Sequence, residues 1–203
     1  MTIPPKPELL SVTLPDPTPT TVPDAALVRR VLTGDIEAFS LLVDRHHARC
    51  LRVATHLLGS PDDAEDVVQD AFLRAYRHLG SYREQERFGS WLSRIVVNQC
   101  RSRVAKESRY ESLDALPDDL DAVSPAAETR TDAALQRRRL AMALATLPFE
   151  QREAIVLRFA DALSYEDMAV VTGAGVSALK MRVQRACARL RTLLAEPFSE
   201  RVP

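Results

Sequence analysis

The stretch that decides the fold lies near the end of the sequence and reads SYEDMAVVTGAGVSALKMRVQRACARLRTLLA over residues 164–195. Ser164 and Ser177 each offer a side-chain oxygen to the free amides at the start of a helix, and Gly173 permits a tight turn between the two helices. Apolar residues recur at three- and four-residue spacing in the second segment and give it one apolar face, formed by Leu179, Val183, Ala186 and Leu190. The pattern predicts a helix-turn-helix, with helices over 165–172 and from 178 to about 194.

The second helix of this motif is strongly basic. It carries five cations and no acid between Val176 and Ala195, the cations being Lys180, Arg182, Arg185, Arg189 and Arg191. Such a helix suits the major groove of duplex DNA, where its first turns read bases and its arginines hold phosphates. The alternative is a solvated face on a purely structural helix. The charge pattern favours DNA binding.

The rest of the sequence also has helical periodicity. Pro148 begins a segment over 149–160, and a further segment covers 133–147. Upstream, Asp24 is a candidate cap for a helix over 25–33, and Gly59 followed by Ser60-Pro61 ends one helix and begins the next. A further helical segment, between these two regions, covers 88–106. These patterns predict an all-α protein.

Composition divides the chain into five parts. Seven of the 13 prolines lie in residues 1–23, which predicts a disordered proline-rich leader. Residues 107–132 carry two bases against eight acids and no apolar period, which predicts a flexible acidic linker. The sequence therefore predicts two small helical domains, over 24–106 and 133–196, with a tail over 197–203.

The overall composition excludes several other classes of protein. The 203 residues carry a net charge of −1 and no apolar run long enough for a membrane span, so we expect a cytoplasmic protein without membrane insertion. Cys50, Cys100 and Cys187 form no CxxC pair and are interpreted as small core residues in a reducing compartment. No nucleophile, metal-ligand or phosphate-binding motif is present, which predicts no catalytic residue, no metal and no cofactor.

Four blocks of the sequence together resemble a known family. They are GDIEAF at 34–39, DAEDVVQDAFLRAY at 63–76, FGSWL at 88–92 followed by Ile95 and Asn98, and LP at 147–148 followed by LSYEDMA at 163–169 and KMRVQRA at 180–186. In this order and spacing the chain is similar to sigma-70 family transcription initiation factors, specifically the extracytoplasmic-function (ECF) subgroup. The resemblance covers about residues 25–194.

The resemblance implies a polymerase-binding helix. It would dock on core RNA polymerase, at the coiled coil of the beta-prime subunit, and the beta subunit is a further expected contact. The residues to which this role carries over are Asp62, Asp63, Asp66, Gln69, Asp70 and Arg74. Composition alone favours a simpler interpretation, in which the acids only stabilise the start of the helix by interacting with the positive end of its dipole.

The resemblance also implies two DNA-binding surfaces. Opened minus-10 promoter DNA is expected at Tyr82, Arg83, Arg87, Phe88, Trp91, Arg94, Asn98 and Arg101, since aromatic rings and arginines suit unstacked bases and phosphates. Trp91 lies on an apolar face, so its residue type favours a core position over DNA contact. Duplex minus-35 DNA is expected at Ser177, Ala178, Lys180, Met181, Arg182, Gln184 and Arg185. The family commonly has Thr in place of Ala178, so one hydroxyl for a phosphate is missing.

The family implies two further features. Its inter-domain segment threads the RNA path of polymerase, a role that here would fall to an acidic strand with Asp114, Asp118, Asp119, Asp121 and Glu128. Its members are often held inactive by an anti-sigma protein that clamps both domains. The rival hypothesis is a helix-turn-helix regulator that binds duplex DNA alone, usually as a symmetric dimer, and needs no polymerase-binding helix.

Overall fold

The computed structural model describes residues 22–83, 87–113 and 132–195. Within these ranges the chain forms eight α helices and one 3-10 turn, with no strand, which confirms the predicted all-α class. The helices are α1 (Asp24–Leu32), α2 (Glu37–Leu58), α3 (Pro61–Arg77), α4 (Phe88–Leu113), α5 (Asp132–Ala145), α6 (Phe149–Phe159), α7 (Tyr165–Thr172) and α8 (Val176–Ala195), and the 3-10 turn is Leu79–Ser81.

The first four helices form the N-terminal half of the structure. Helix α2 packs against α1 and α3, and α3 packs against α4. Their apolar faces meet in a core that includes the fully buried side chains of Leu42, Leu57, Val68 and Leu92. Burial of these faces supplies most of the free energy that holds the four helices together.

The junction between α2 and α3 follows the predicted signals. Gly59 ends α2 with a φ of 81°, a left-handed conformation that glycine adopts without steric cost. The Ser60 hydroxyl then accepts a hydrogen bond from the Asp63 N–H at 3.3 Å, and Pro61 is the first helical residue. The acids of the first turn therefore lie at the positive end of the α3 dipole.

The last four helices form the C-terminal half. Helices α6 and α7 both pack against α8, and α5 closes the same side. The Ser164 hydroxyl accepts a hydrogen bond from the Asp167 N–H at 3.0 Å and caps α7, and Gly173 ends it with a φ of 74°. Helices α7 and α8 with the turn between them form the predicted helix-turn-helix.

Two of the predicted caps are wrong. Asp24 is the first residue of α1 and not its cap, because Pro23 precedes the helix; the Asp24 carboxylate instead pairs with Arg45 and with His46 Nε2 at 2.9 Å. Helix α8 begins at Val176, so Ser177 is its second residue.

The predicted linker is longer than the gap between α4 and α5, and most of the predicted leader and tail lies outside the described residues. Helix α4 continues to Leu113, past residue 106, and α5 begins at Asp132. Residues 1–21, 114–131 and 196–203 lie outside the described residues, and with them lie most of the predicted leader, the tail and all five acids that the resemblance assigned to the RNA path.

The two halves pack directly against each other. Helix α2 contacts α6, α4 contacts α7, and the buried side chains of both halves belong to one continuous cluster. The Arg152 guanidinium of α6 donates to the Leu57 carbonyl at the end of α2 at 2.8 Å. Among the described helices, none is both long and apolar enough to span a membrane.

The corrected start of α8 gives a stability prediction. Ser164→Ala removes the cap of α7 and is expected to lower the free energy of unfolding by about 1 kcal/mol. Ser177→Ala makes the same chemical change inside the first turn of α8 and is expected to cost less than about 0.5 kcal/mol. Urea unfolding followed by circular dichroism measures both. Equal losses would show that Ser177 caps α8 after all.

Candidate nucleic-acid interfaces

Helix α8 presents the predicted minus-35 residues on one face. Its buried face consists of Leu179, Val183, Ala186 and Leu190, as the sequence predicts. On the other side, Ser177, Ala178, Lys180, Met181, Gln184 and Arg185 are exposed, and Arg182 is half-buried. The structure thus brings all seven residues to the first three turns of a single helix.

Two contacts of α8 with its own half position its cations, and an arginine of α6 shares one of the partners. Arg182 pairs with Glu150 of α6 at 2.8 Å. The Lys180 Nζ lies 5.6 Å from the centre of the Tyr165 ring, and Arg158 lies 5.2 Å from the same ring. Cations over an aromatic face are attracted to it, so Tyr165 of α7 stabilises the position of Lys180 near the start of α8.

Helix α3 places the predicted polymerase-binding residues on its outer face. Its inner face consists of the buried side chains of Ala64, Val67, Val68, Ala71, Phe72 and Ala75. Asp62, Asp66, Gln69, Asp70 and Arg74 are exposed. Asp63 is half-buried, because Arg103 of α4 binds its carboxylate.

Two apolar residues belong to the same outer face and were not among the predicted site residues. Leu73 and Tyr76 are 50% and 43% exposed, and the Tyr76 ring lies 5.0 Å from that of Phe39. A large apolar side chain on the polar face of an amphipathic helix is a signal for a docking surface. Leu73 and Tyr76 follow Asp66 and Gln69 by two helical turns, so the sequence alone could have placed them on this outer face.

The predicted minus-10 residues divide into a buried and an accessible set. Tyr82, Phe88 and Trp91 form an aromatic cluster in which each pair of ring centres lies 5.7 Å apart. Phe88 and Trp91 are only 2% and 7% exposed, so Trp91 occupies the core position that its residue type favoured. Arg83, Arg87 and Asn98 are exposed, whereas Arg94 and Arg101 are half-buried.

Arg101 is held by the other half of the protein. Its Nε and one terminal nitrogen donate to the two carboxylate oxygens of Glu153 at 2.7 and 2.8 Å. Its other terminal nitrogen donates to the Asn98 side-chain oxygen at 3.4 Å. The resemblance predicted Arg101 as a DNA contact but gave no sign of the Glu153 partner, since the two residues lie on different helices and in different halves.

A cavity of about 660 Å³ lies where the two halves meet. Its lining combines arginines, acids and aromatic rings, among them Arg49, Arg87, Phe88, Asp161 and Asp167. Within the described ranges, no group of three or more His, Cys, Asp or Glu side chains is placed to hold a metal ion.

The cysteines are free thiols in two environments. Cys50 and Cys100 are buried, and burial raises the pKa of each thiol to about 12. The core interpretation is correct for these two. Cys187 of α8 is half-buried, so for this residue the interpretation was too strong.

Comparison with known proteins identifies the class of this helical protein. The family model Sigma-70 region 2 matches residues 42–110, and Sigma-70, region 4 matches residues 137–190. The chain is 37% identical over 171 residues to the ECF RNA polymerase sigma factor SigM of Mycobacterium tuberculosis, a match that covers 84% of each chain. It is 33% identical over 177 residues to the ECF RNA polymerase sigma-E factor of Escherichia coli, with 80% of this chain and 90% of that one covered.

Solved structures agree with these relatives. CnrH in complex with the cytosolic domain of CnrY has a TM-score of 0.64 and 30% identity, covering 84% of this chain and 96% of that one. The sigma factor RpoE from Bartonella quintana, in complex with the anti-sigma factor NepR, has a TM-score of 0.65 and 31% identity, with 77% and 96% covered. The fold and helix-turn-helix are those of a transcription initiation factor, the non-enzymatic class to which sigma factors belong. Within that class, the chain belongs to the ECF group of the sigma-70 family.

The thiol environments give a chemical prediction. At pH 8 one thiol, that of Cys187, is expected to react with an aromatic disulfide reagent while the protein is folded. Cys50 and Cys100 are expected to react only after denaturation, because a buried neutral thiol is a poor nucleophile. Release of the reagent's chromophore measures the number of thiols. Cys187→Ser should abolish the early reaction, and three thiols reacting at one rate in the folded protein would contradict these environments.

Proposed function

We propose that this sigma factor docks on core RNA polymerase through α3 and directs initiation by contacting promoter DNA through α4 and α8. The observation that carries the proposal is the outward face of α8, where cations emerge from a helix whose opposite face is fully used by the core. Positive charge that no core packing requires is available for phosphates.

The duplex minus-35 element is assigned to the first three turns of α8. Lys180 and Arg185 are exposed cations that can donate to phosphates or to guanine edges, and Gln184 can contact a base. The neighbouring Arg182 pairs with the exposed Glu150 of α6 at 2.8 Å. Which sequence is selected depends on the base edges that these side chains reach.

The polymerase contact is assigned to the outer face of α3. Asp62, Asp66 and Asp70 give this face acidic groups, Gln69 and Arg74 add polar donors, and Leu73 with Tyr76 supplies apolar area. A surface that mixes acids with a small apolar patch suits the coiled coil of the beta-prime subunit, since charge complementarity sets orientation and apolar burial adds affinity.

The melted minus-10 element is assigned to the start of α4 and the residues before it. Arg83, Arg87 and Asn98 are accessible, and Tyr82 is a partly exposed ring beside them. Single-stranded DNA binds where a ring can stack on a base and cations can hold the backbone. In this assignment, the buried Trp91 ring packs against Tyr82 and Phe88 and holds them in place without contacting DNA.

The division of the chain follows from these surfaces. We assign residues 24–106 to the domain that binds polymerase and the minus-10 element, and 133–196 to the domain that binds the minus-35 element. Residues 1–23 and 197–203 are assigned as leader and tail. The acidic linker, expected over 107–132, is assigned to 114–131, because α4 continues to Leu113 and α5 begins at Asp132. We expect the protein to act in the cytoplasm, with no catalytic activity and no cofactor of its own.

An anti-sigma protein is the expected regulator. The structure of RpoE that resembles this chain was solved with the anti-sigma factor NepR, and the similar CnrH was solved with the cytosolic domain of CnrY. We propose that a comparable inhibitor clamps the two halves of this protein and covers the faces assigned to DNA and polymerase.

The polymerase assignment predicts a charge-reversal effect. The double variant Asp66→Lys/Asp70→Lys is expected to weaken association with core RNA polymerase at least about tenfold, because it opposes complementary charges across the interface. Co-elution on a sizing column measures the association.

The matched control is Glu37→Lys/Asp44→Lys on the exposed side of α2, which makes the same change in net charge outside the docking face. If the α3 variant associates with polymerase normally, Asp66 and Asp70 do not contribute to docking and their role is purely structural. If neither form associates while the free protein binds duplex DNA tightly as a dimer, the helix-turn-helix regulator replaces the sigma assignment.

The minus-35 assignment predicts a salt effect. Lys180→Ala/Arg182→Ala is expected to lower promoter-directed initiation and to reduce the slope of log affinity against log salt by about two, because two phosphate contacts no longer release counterions. Polymerase binding should persist. The control Arg52→Ala/Arg138→Ala removes two exposed cations elsewhere and should leave the slope unchanged. An unaltered slope in the α8 variant would remove α8 from the DNA contact.

A further inference from the structure

Helix α1 has no part in the proposed contacts with polymerase and DNA, yet its first residue is joined to the next helix. The Asp24 carboxylate pairs with Arg45 of α2 and lies 2.9 Å from His46 Nε2. An ionised carboxylate only accepts hydrogen bonds, so His46 Nε2 carries a proton and donates to Asp24. The pair connects the start of α1 to the inner face of α2.

His46 is a polar residue in an apolar position. Its side chain is 11% exposed, and the six other buried residues of α2 are apolar or carry a thiol. A buried imidazole is unfavourable unless its polar atoms are hydrogen-bonded, and Asp24 supplies that bond. Because hydrogen bonds are directional, the bond also restricts rotation of the imidazole ring.

The His46 ring lies directly beneath the start of α4. Its centre is 5.3 Å from that of Phe88, the first residue of α4. A methyl group at the next residue, Gly89, would lie 3.6 Å from His46 Cε1 and would overlap the Arg49 guanidinium. A residue without a side chain at this position allows the backbone of α4 to approach α2 closely. The first turn of α4 therefore packs on the His46 side chain.

Phe88 in turn contacts both other rings of the aromatic cluster. The ring centres of Tyr82 and Trp91 each lie 5.7 Å from that of Phe88. Phe88 and Trp91 are buried, whereas Tyr82 is partly exposed. Tyr82 is therefore the ring of this cluster that a nucleic-acid base can reach, and Phe88 packs against it from the protein interior.

We propose that Asp24 and His46 are positioning residues of the minus-10 site. The Asp24 hydrogen bond orients His46, His46 fixes Phe88, and Phe88 holds the Tyr82 ring in the orientation in which it stacks on an unpaired base. Neither Asp24 nor His46 touches DNA. A ring that is already fixed loses less rotational freedom when a base binds, so single-stranded DNA binds more tightly. The inference rests on the proposed function, because it requires that Tyr82 stacks on promoter DNA.

The first test measures binding of single-stranded DNA by core RNA polymerase that carries this protein. The probe is a labelled oligothymidylate, because stacking tolerates any base, and core polymerase alone gives the baseline. Asp24→Ala is expected to weaken the binding that this protein adds by about 3- to 10-fold, the cost of ordering a side chain that is no longer fixed. Asp24→Asn keeps an acceptor for His46 and should restore most of the affinity.

Two controls remove ion pairs that do not reach the aromatic cluster. Arg45→Gln breaks the other pair of Asp24 and leaves the His46 bond, and Asp35→Ala breaks a pair with Arg30 beyond the other end of α1. Both controls should bind oligothymidylate as the parent does. Equal losses of affinity in Asp35→Ala and Asp24→Ala would show a general effect of lost stability and would overturn the positioning role.

Trp91 reports on the cluster directly, because it is the only tryptophan in the sequence. In the free protein, Asp24→Ala is expected to raise the quenching of Trp91 fluorescence by acrylamide and to lower its anisotropy, since the rings are held less tightly. Asp24→Asn and both controls should leave the two signals unchanged. An unchanged Trp91 signal in Asp24→Ala would contradict the proposal.

A variant of α2 tests whether the two residues act through one path. His46→Gln keeps a donor for Asp24 but removes the ring that supports Phe88, so it should weaken oligothymidylate binding at least as much as Asp24→Ala. The double variant should bind no more weakly than His46→Gln alone, because Asp24 acts through that ring. Additive losses would show that Asp24 acts independently of His46 and would overturn the proposal.

Tyr82→Leu separates failure of this inference from failure of the proposed function. If Tyr82→Leu binds oligothymidylate as the parent does, or if the parent adds no binding to core polymerase, the minus-10 assignment itself fails. If Tyr82→Leu loses affinity while Asp24→Ala and His46→Gln do not, only the positioning role fails.

Discussion

Each described helix has apolar side chains that must be buried against another helix if the chain is to stay folded. The shortest helices, α1, α6 and α7, have 9, 11 and 8 residues and gain little stability from their own hydrogen bonds in water. The buried rows on α3 and α8 illustrate how tightly this constraint acts, since every third or fourth residue is committed to the core. What the core leaves over is a set of outward faces, and these faces are the surfaces proposed for polymerase and DNA.

The same constraint explains which features were predictable from sequence. Periodicity located α3, α7 and α8, and the Ser60-Pro61 and Ser164 signals correctly identified two caps, because these features depend on residues within one turn of each other. The two wrong caps have separate causes. Asp24 is used by Arg45 and His46 of α2, and the helical geometry of α8 begins before Ser177. The partners of Asp24 lie on the next helix, more than 20 residues away, where the pattern of α1 alone does not identify them.

The candidate site was predictable in its composition but not in its accessibility. The family resemblance selected the residues of α3, α4 and α8, and the exposed faces of α3 and α8 contain them as expected. It gave no sign that Arg101 pairs with Glu153 or that Arg49 pairs with Asp161, since each pair joins helices distant in sequence. A charge pattern read along one helix cannot reveal which acid of another helix lies opposite.

The pairing of Arg101 with Glu153 also has an evolutionary consequence. The arginine fork matches the two oxygens of a carboxylate, a geometry that lysine does not reproduce. If the same guanidinium contacts promoter DNA, residue 101 must satisfy two separate requirements, pairing with Glu153 and binding DNA. Substitutions at this position are then restricted by both. Position 153 is constrained by the pair with Arg101 and by its own burial, so a change at residue 101 leaves a buried carboxylate without its partner.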